Sequence, residues 1–253
     1  MYKSELDAIA NNAVAKYETL STKPSKYFMR SIVAGFFIVV ATILSNVSAA
    51  VLYPTYPEFA KLIGAFLFPI AIILIVFIGG DLFTGNNMTM AIGVYQKRCS
   101  WKQAGLIWIA SYIGNFIGCF LFAYIFIKSN ASQAVLENYY NAIILPKLEL
   151  TPVEMVLRGT LCNFMVCLAV FTATRMKTES GKLVVMFMVI MAFVVAGFEH
   201  SIANMGTFSI AYFICDGLPM DLVLKSMFFV TIGNIIGGAF LLGWPLKVMS
   251  ADE

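Results

Sequence analysis

The alternation of apolar and polar positions divides the chain into six long apolar blocks, at 28–53, 60–94, 103–128, 153–175, 183–213 and 221–244, joined by polar connectors. Each block reaches or exceeds the roughly 20 residues that a helix needs to cross a hydrocarbon core of about 30 Å. Backbone polar groups in lipid must be satisfied within the spanning segment, so blocks of this length predict helices and not barrel strands. The pattern therefore predicts an all-α integral membrane protein with six transmembrane helices. Residues 1–26 lack the apolar core of a signal peptide and are expected to stay on the chain as a polar, amphipathic helix ahead of the first span.

Two blocks are too long to be simple spans. The second covers 35 residues, roughly 52 Å as one helix at about 1.5 Å per residue, far more than a bilayer needs. Its expected break is GGDLFTGNNM (79–88); that of the fifth block is GFEHSIANM (197–205). Irregular backbone at membrane depth survives only where protein encloses it or where it lines a wet cavity. The breaks align at an offset of 117, pairing Gly80 with Gly197, Thr84 with Ser201, Asn87 with Asn204 and Met88 with Met205. IGNFIG (113–118) matches IGNIIG (232–237) at an offset of 119, and FMRS (28–31) resembles VLRG (156–159). Three spans per copy, an odd number, force the second copy to cross in the opposite sense. The expected architecture is an inverted 3+3 repeat, 27–128 and 153–244, forming one transmembrane channel domain with broken second and fifth helices meeting near the midplane.

Composition agrees: 60% of residues are hydrophobic and 12% are charged, outside the range of soluble globular chains. Of the 17 basic residues, twelve fall on the side of the termini and five on the other. The positive-inside rule then places both termini in the cytoplasm, with the protein in the cell (inner or plasma) membrane. The cysteines Cys99, Cys119, Cys162, Cys167 and Cys215 are scattered, with no CxxC spacing and no histidine at ligand spacing, so no metal or disulfide framework is expected. No phosphate-cradling loop, nucleophile with a base, cofactor motif or nucleic-acid signature is present, which argues against an enzyme and against nucleotide-driven transport.

The chemistry concentrates in the two breaks. Asp81 and Glu199 are the carboxylates at membrane depth, and His200 is the only histidine. Intramembrane ionisable groups default to a functional reading, yet both carboxylates are read first as caps that accept hydrogen bonds from the orphan amides of the broken helices. His200, inside a repeated break, is read as functional. Thr84 and Ser201 offer hydroxyls at matching positions, while Asn87 and Asn204 are expected to hold the loops by bonding their backbone. Glycines of IGNFIG and IGNIIGG mark close helix contacts.

GGDLFTGN, LCNFMVCLAV (161–170) and GFEHSIANM together resemble the formate/nitrite transporter family over essentially the whole chain, and the LFTGNNM form of the first break is most similar to its hydrosulfide-conducting branch. The resemblance implies an aquaporin-like fold assembled as a homopentamer with a pore in every protomer. It places the central pore histidine at His200 and the loop threonine at Thr84. The lysine outside the pore mouth falls at Lys147, sixteen residues before Asn163 of the fourth span. Ser201 and Asn163 complete the candidate pore set, and Phe68, Ile72, Phe83, Val166 and Phe193 match the apolar rings. Asn86 and Asn87 after the glycine depart from the family pattern of the first break.

A bare carboxylate-sized anion costs on the order of 20 kcal/mol to move into low dielectric. Neutralising an acid whose pKa lies about three units below ambient pH costs roughly 4 kcal/mol. The expected function is a channel for small monovalent weak-acid anions such as hydrosulfide, formate and nitrite. Lys147 would focus potential at the mouth, and the anion would take a proton, from His200 or from water, between two hydrophobic constrictions. Two alternatives use the same features: a proton-coupled anion transporter with alternating access, and an aquaporin-like neutral-solute channel. The second lacks Asn-Pro-Ala in either loop and gives no reason for Lys147 or His200.

Overall fold

The structure is a computed structural model and describes residues 3–215 and 217–250. Among the described residues every regular element is helical. An N-terminal helix, α1 (Lys3–Thr22), lies ahead of the first long helix, α2 (Pro24–Leu52). The second block forms α3 (Pro57–Leu67), α4 (Ile70–Ile78) and α5 (Phe83–Tyr95), followed by α6 (Trp101–Lys128). Next come α7 (Gln133–Leu148), α8 (Pro152–Arg175), then α9 (Glu179–Val195) and α10 (Ser201–Ile214) from the fifth block. The last block is α11 (Met220–Ile235), a π-helical stretch (Ile236–Gly243) and α12 (Trp244–Ser250).

Among the described residues, five helical stretches are long and apolar enough to cross a membrane: Pro24–Leu52, Pro57–Ile78, Trp101–Lys128, Pro152–Arg175 and Met220–Ser250. The expected fifth span is divided into helices of 17 and 14 residues, each short of a crossing by itself. The second block carries two breaks where one was expected. The additional break is at Phe68–Pro69, where proline has no N–H to donate and its ring crowds the preceding turn. The connector 129–152, read as polar linker, contains α7, whose buried face is Leu136, Tyr140, Ile144 and Leu148. That four-residue spacing is a helical stripe, and Asn46 Nδ2 of α2 donates to Tyr140 Oη at 2.7 Å, docking α7 across α2.

The spanning helices bury small and polar residues among smaller apolar ones and turn large apolar side chains outward. On α6, Ser111, Gly114 and Asn115 are buried while Ile109, Ile113 and Phe116 are exposed, because lipid solvates the hydrocarbon face that water would expel. Two helix pairs meet nearly backbone to backbone. A Cβ on Gly118 of α6 would run into the Ile32 carbonyl of α2, and one on Gly237 into the Thr160 carbonyl of α8. The glycines of the two IGN motifs are thus close contacts, as expected. The tryptophans cluster at one end: Trp101 lies within ring contact of Trp108, Tyr95 and Phe240, and Tyr95 meets Trp244, an arrangement suited to a membrane interface.

Candidate functional site

The two internal breaks are built alike. After α4 the chain turns at Gly79 (φ 90°), and after α9 at Gly197 (φ 73°), a left-handed conformation that glycine adopts without a Cβ clash. Asp81 N–H then donates to Arg30 O (3.1 Å), and Glu199 N–H to Arg158 O (3.3 Å). Asn115 Oδ1 accepts from Phe83 N–H (2.9 Å), while Asn234 Oδ1 accepts from Ser201 N–H (2.8 Å). The matched positions stand 118 residues apart, Gly79 with Gly197, Asp81 with Glu199 and Phe83 with Ser201, so the expected offset of 117 is corrected by one. Ser201 therefore matches Phe83 and not Thr84, and His200 matches Leu82.

The expected caps are also corrected. Neither carboxylate caps a half-helix; each is an ion-pair partner. Asp81, fully buried, receives Lys16 Nζ of α1 on Oδ1, and Arg30 Nε stands 3.2 Å from Oδ2 while donating to Gly79 O at 3.0 Å. Lys147 Nζ of α7 donates to Glu199 Oε1 (2.8 Å) and Oε2 (2.7 Å) and to Asn204 Oδ1 (3.0 Å). All three ammonium protons of Lys147 are thereby used. Asn204 Nδ2 closes the ring onto Glu199 Oε2 at 2.8 Å. Asn87 Oδ1 accepts from Asn163 Nδ2 at 3.0 Å. Neither Asn87 nor Asn204 bonds the loop backbone through these contacts, contrary to expectation. Arg30 and Asn46 lie 16 residues apart on α2, about 24 Å along the helix, so the α1 pair and the α7 pair occupy opposite ends of it.

Between these ends lie two cavities. The one on the α7 side, about 200 Å³, is lined by Thr42, Ser45, Asn46, Lys147, Glu199 and Asn204 among others, and reaches Phe68 and Phe193. The deeper one, about 10 Å³, is lined by Ile38, Ile72, Ile75, Leu82, Val166 and His200, and it too reaches Phe68 and Phe193. It has room for about one water molecule. The two phenylalanines, edge to face with centroids 6.3 Å apart, form the septum between them, and Phe193 stacks on the His200 ring at 6.2 Å.

His200 is the N-cap of α10: its Nδ1 accepts from Ala203 N–H at 3.0 Å. A backbone N–H can only donate, so the ring's proton sits on Nε2, which donates to Thr84 Oγ1 at 2.9 Å. The Thr84 carbonyl accepts from Asn163 Nδ2 (3.2 Å) and Cys167 Sγ (3.5 Å), which fixes the first turn of α5.

Of the residues singled out from sequence, the structure brings together His200 and Thr84, Lys147 with Glu199 and Asn204, and Phe68, Ile72, Val166 and Phe193 around the small cavity. Phe83 is not in the lining of that cavity; its ring packs edge-on against Tyr112 at 5.0 Å. Asn163 is buried and bonds Thr84 O, Asn87 Oδ1 and Asn234 O (2.6 Å), so it braces the site. Ser201 is buried with its Oγ lacking a hydrogen-bond partner. Sequence reasoning missed Leu82, Lys16, Asn115 and Asn234. Lys16 was findable as a cation one turn beyond Leu6, Ile9 and Ala13 on the buried face of α1, and the asparagines as the polar centre of the repeated IGN motif.

The family model described as Formate/nitrite transporter matches residues 3–248. An uncharacterised transporter of Bacillus subtilis (strain 168), YwcJ, is 31% identical over 256 residues, covering 100% of both chains. A solved structure described as an FNT family ion channel has the same fold, with a TM-score of 0.91, 24% identity and coverage of 98% of this chain and 100% of that one. A second, a pentameric formate channel with formate bound, superimposes with a TM-score of 0.76 at 26% identity, covering 90% of this chain and 98% of that one. A family match across nearly the entire chain, joined to a buried His–Thr pair behind an aromatic septum, leads to one conclusion: this membrane protein belongs to the formate/nitrite transporter family, a family of transporters and channels and not of enzymes.

Proposed function

We propose that the chain is a single channel domain of six spans in an inverted 3+3 arrangement, conducting small monovalent weak-acid anions through each protomer of a homopentamer. The pentamer is supported by the pentameric formate channel that shares the fold. The twelve basic residues on the side of the termini support cytoplasmic ends in the cell membrane. One observation carries the functional reading: the His200–Thr84 hydrogen bond is sealed between the Phe68–Phe193 septum and the apolar wall of Leu82, Ile72 and Val166. A bare anion loses its hydration shell there with no cation in contact, whereas a neutral acid meets hydrogen-bonding groups and apolar walls that suit it.

Lys147 serves by offsetting Glu199: its ammonium is held on both oxygens of that carboxylate, so an arriving anion meets a neutral pair at the α7 cavity where an unpaired carboxylate would repel it. Lys16 against Asp81 gives the α1 end a corresponding pair. The proton comes from solvent at the septum, and His200 keeps its Nε2 proton as a hydrogen-bond donor. A cavity with room for about one water admits the smallest of these solutes with the least rearrangement, which supports hydrosulfide as a substrate; formate and nitrite require Phe68 or Phe193 to rotate.

Proteoliposome flux of hydrosulfide, formate, nitrite and chloride, each measured over protein-free vesicles, tests this. The weak acids should pass and chloride, whose acid is too strong to neutralise, should be retained; equal chloride flux overturns the reading. His200→Asn should lower flux and leave its rise toward acid pH in place. Loss of that pH dependence would mean that His200 itself supplies the proton. Accumulation of formate beyond the ratio that equilibration of the neutral acid across an imposed pH gradient allows would replace the channel with a transporter coupled to more than one proton.

A further inference from the structure

Each break places one side chain against the small cavity at the point where the backbone is least regular: Leu82 ahead of α5 and His200 ahead of α10. Backbone of that kind has no ladder of its own and takes its shape from what bonds it. Asn115 of α6 accepts from Phe83 N–H (2.9 Å) and donates to Asp81 O (2.9 Å), the two residues flanking Leu82. Asn234 of α11 accepts from Ser201 N–H (2.8 Å) and donates to Glu199 O (3.0 Å), the two flanking His200. The remaining amide proton of each ties the break to a neighbouring span, Asn115 to Ser31 O and Asn234 to Gly159 O, both at 2.8 Å. Both asparagines are fully buried. They reach these carbonyls because the adjoining glycines, Gly114 and Gly118 on α6, Gly233 on α11 and Gly237 at the start of the π-helical stretch, let the helices close to backbone contact.

We infer that Asn115 and Asn234 are the positioning residues of the conduction path, Asn115 setting Leu82 and so the bore of the cavity, and Asn234 setting His200 and so the hold on the solute. The inference rests on the proposed conduction through this cavity. It assigns different tasks to two side chains with the same bonds, because Leu82 offers only bulk and His200 offers a hydrogen-bonded ring.

The test is Asn115→Ser and Asn234→Ser in the full chain, with folding checked by gel filtration in detergent and flux measured in proteoliposomes. Asn115→Ser should change the acetate-to-formate flux ratio about three- to tenfold, the scale of one lost net hydrogen bond, with the half-saturating formate concentration unchanged. Asn234→Ser should raise that half-saturating concentration by a similar factor and leave the acetate-to-formate ratio unchanged. Where a serine variant does not fold, the aspartate variant, which keeps the shape and the acceptor for the helix N–H, is measured in its place. Both substitutions moving both properties together would overturn the inference, as would failure of every variant at a position to fold, which would make that asparagine structural only. Wild-type vesicles that carry none of the anions would instead remove the conduction reading itself.

Discussion

Replacing Glu199 by glutamine removes one negative charge from the α7 cavity while preserving shape. In the resting structure the carboxylate binds Lys147 through both oxygens at 2.8 and 2.7 Å, so the pair presents little net charge to the cavity. Glutamine retains one acceptor, frees one ammonium proton and leaves a net positive unit. A unit charge about 7 Å from an arriving anion is worth about 0.6 kcal/mol in water and about 2.4 kcal/mol at an effective dielectric of about 20, roughly three- to fiftyfold in local anion concentration. Initial rates of formate uptake in proteoliposomes, at sub-saturating formate, should rise within that range at low salt. The gain should shrink as the ionic strength brings the Debye length down to about 8 Å and below. Lys147→Met should act in the opposite direction with the same salt sensitivity, since it leaves the carboxylate alone. Slower uptake by Glu199→Gln at every ionic strength would refute the reasoning, because it would show that the carboxylate acts through structure and not by compensating Lys147.

Thr84→Val strands the Nε2 proton of His200 without an acceptor and should destabilise the solubilised protein by about 1–3 kcal/mol, with formate flux falling in parallel; Thr84→Ser should restore both in thermal unfolding and flux assays. On α6, Gly118→Ala drives a Cβ into the Ile32 carbonyl and should cost about 1–3 kcal/mol or more. Gly105→Ala on the same helix meets nothing within 4 Å and should be neutral or stabilising by up to about 1 kcal/mol; equal thermal stability of the two variants would refute the close-contact reading.

The chain's own pattern was enough for much of this protein. Apolar block length announces the membrane, and the two overlong blocks place a break at residues 79–88 and another at 197–205, because helix rise and bilayer thickness leave no alternative. The solitary His200 also stood out in its break, while its place beside Thr84 at the pore centre came from the family resemblance. What needed the tertiary structure is which groups satisfy which. Asp81 and Glu199 bond lysines brought by α1 and α7, and the orphan amides beside them are bonded by Asn115 and Asn234 from helices far along the chain. A hydrogen bond is won by the donor that packing delivers to within about 3 Å, and sequence spacing carries no information about distances between helices. The one-residue change of register, from Thr84–Ser201 to Phe83–Ser201, has the same origin. Residue identities matched best at one offset, while the bonds that hold the two backbones alike are indifferent to side chain and follow the other.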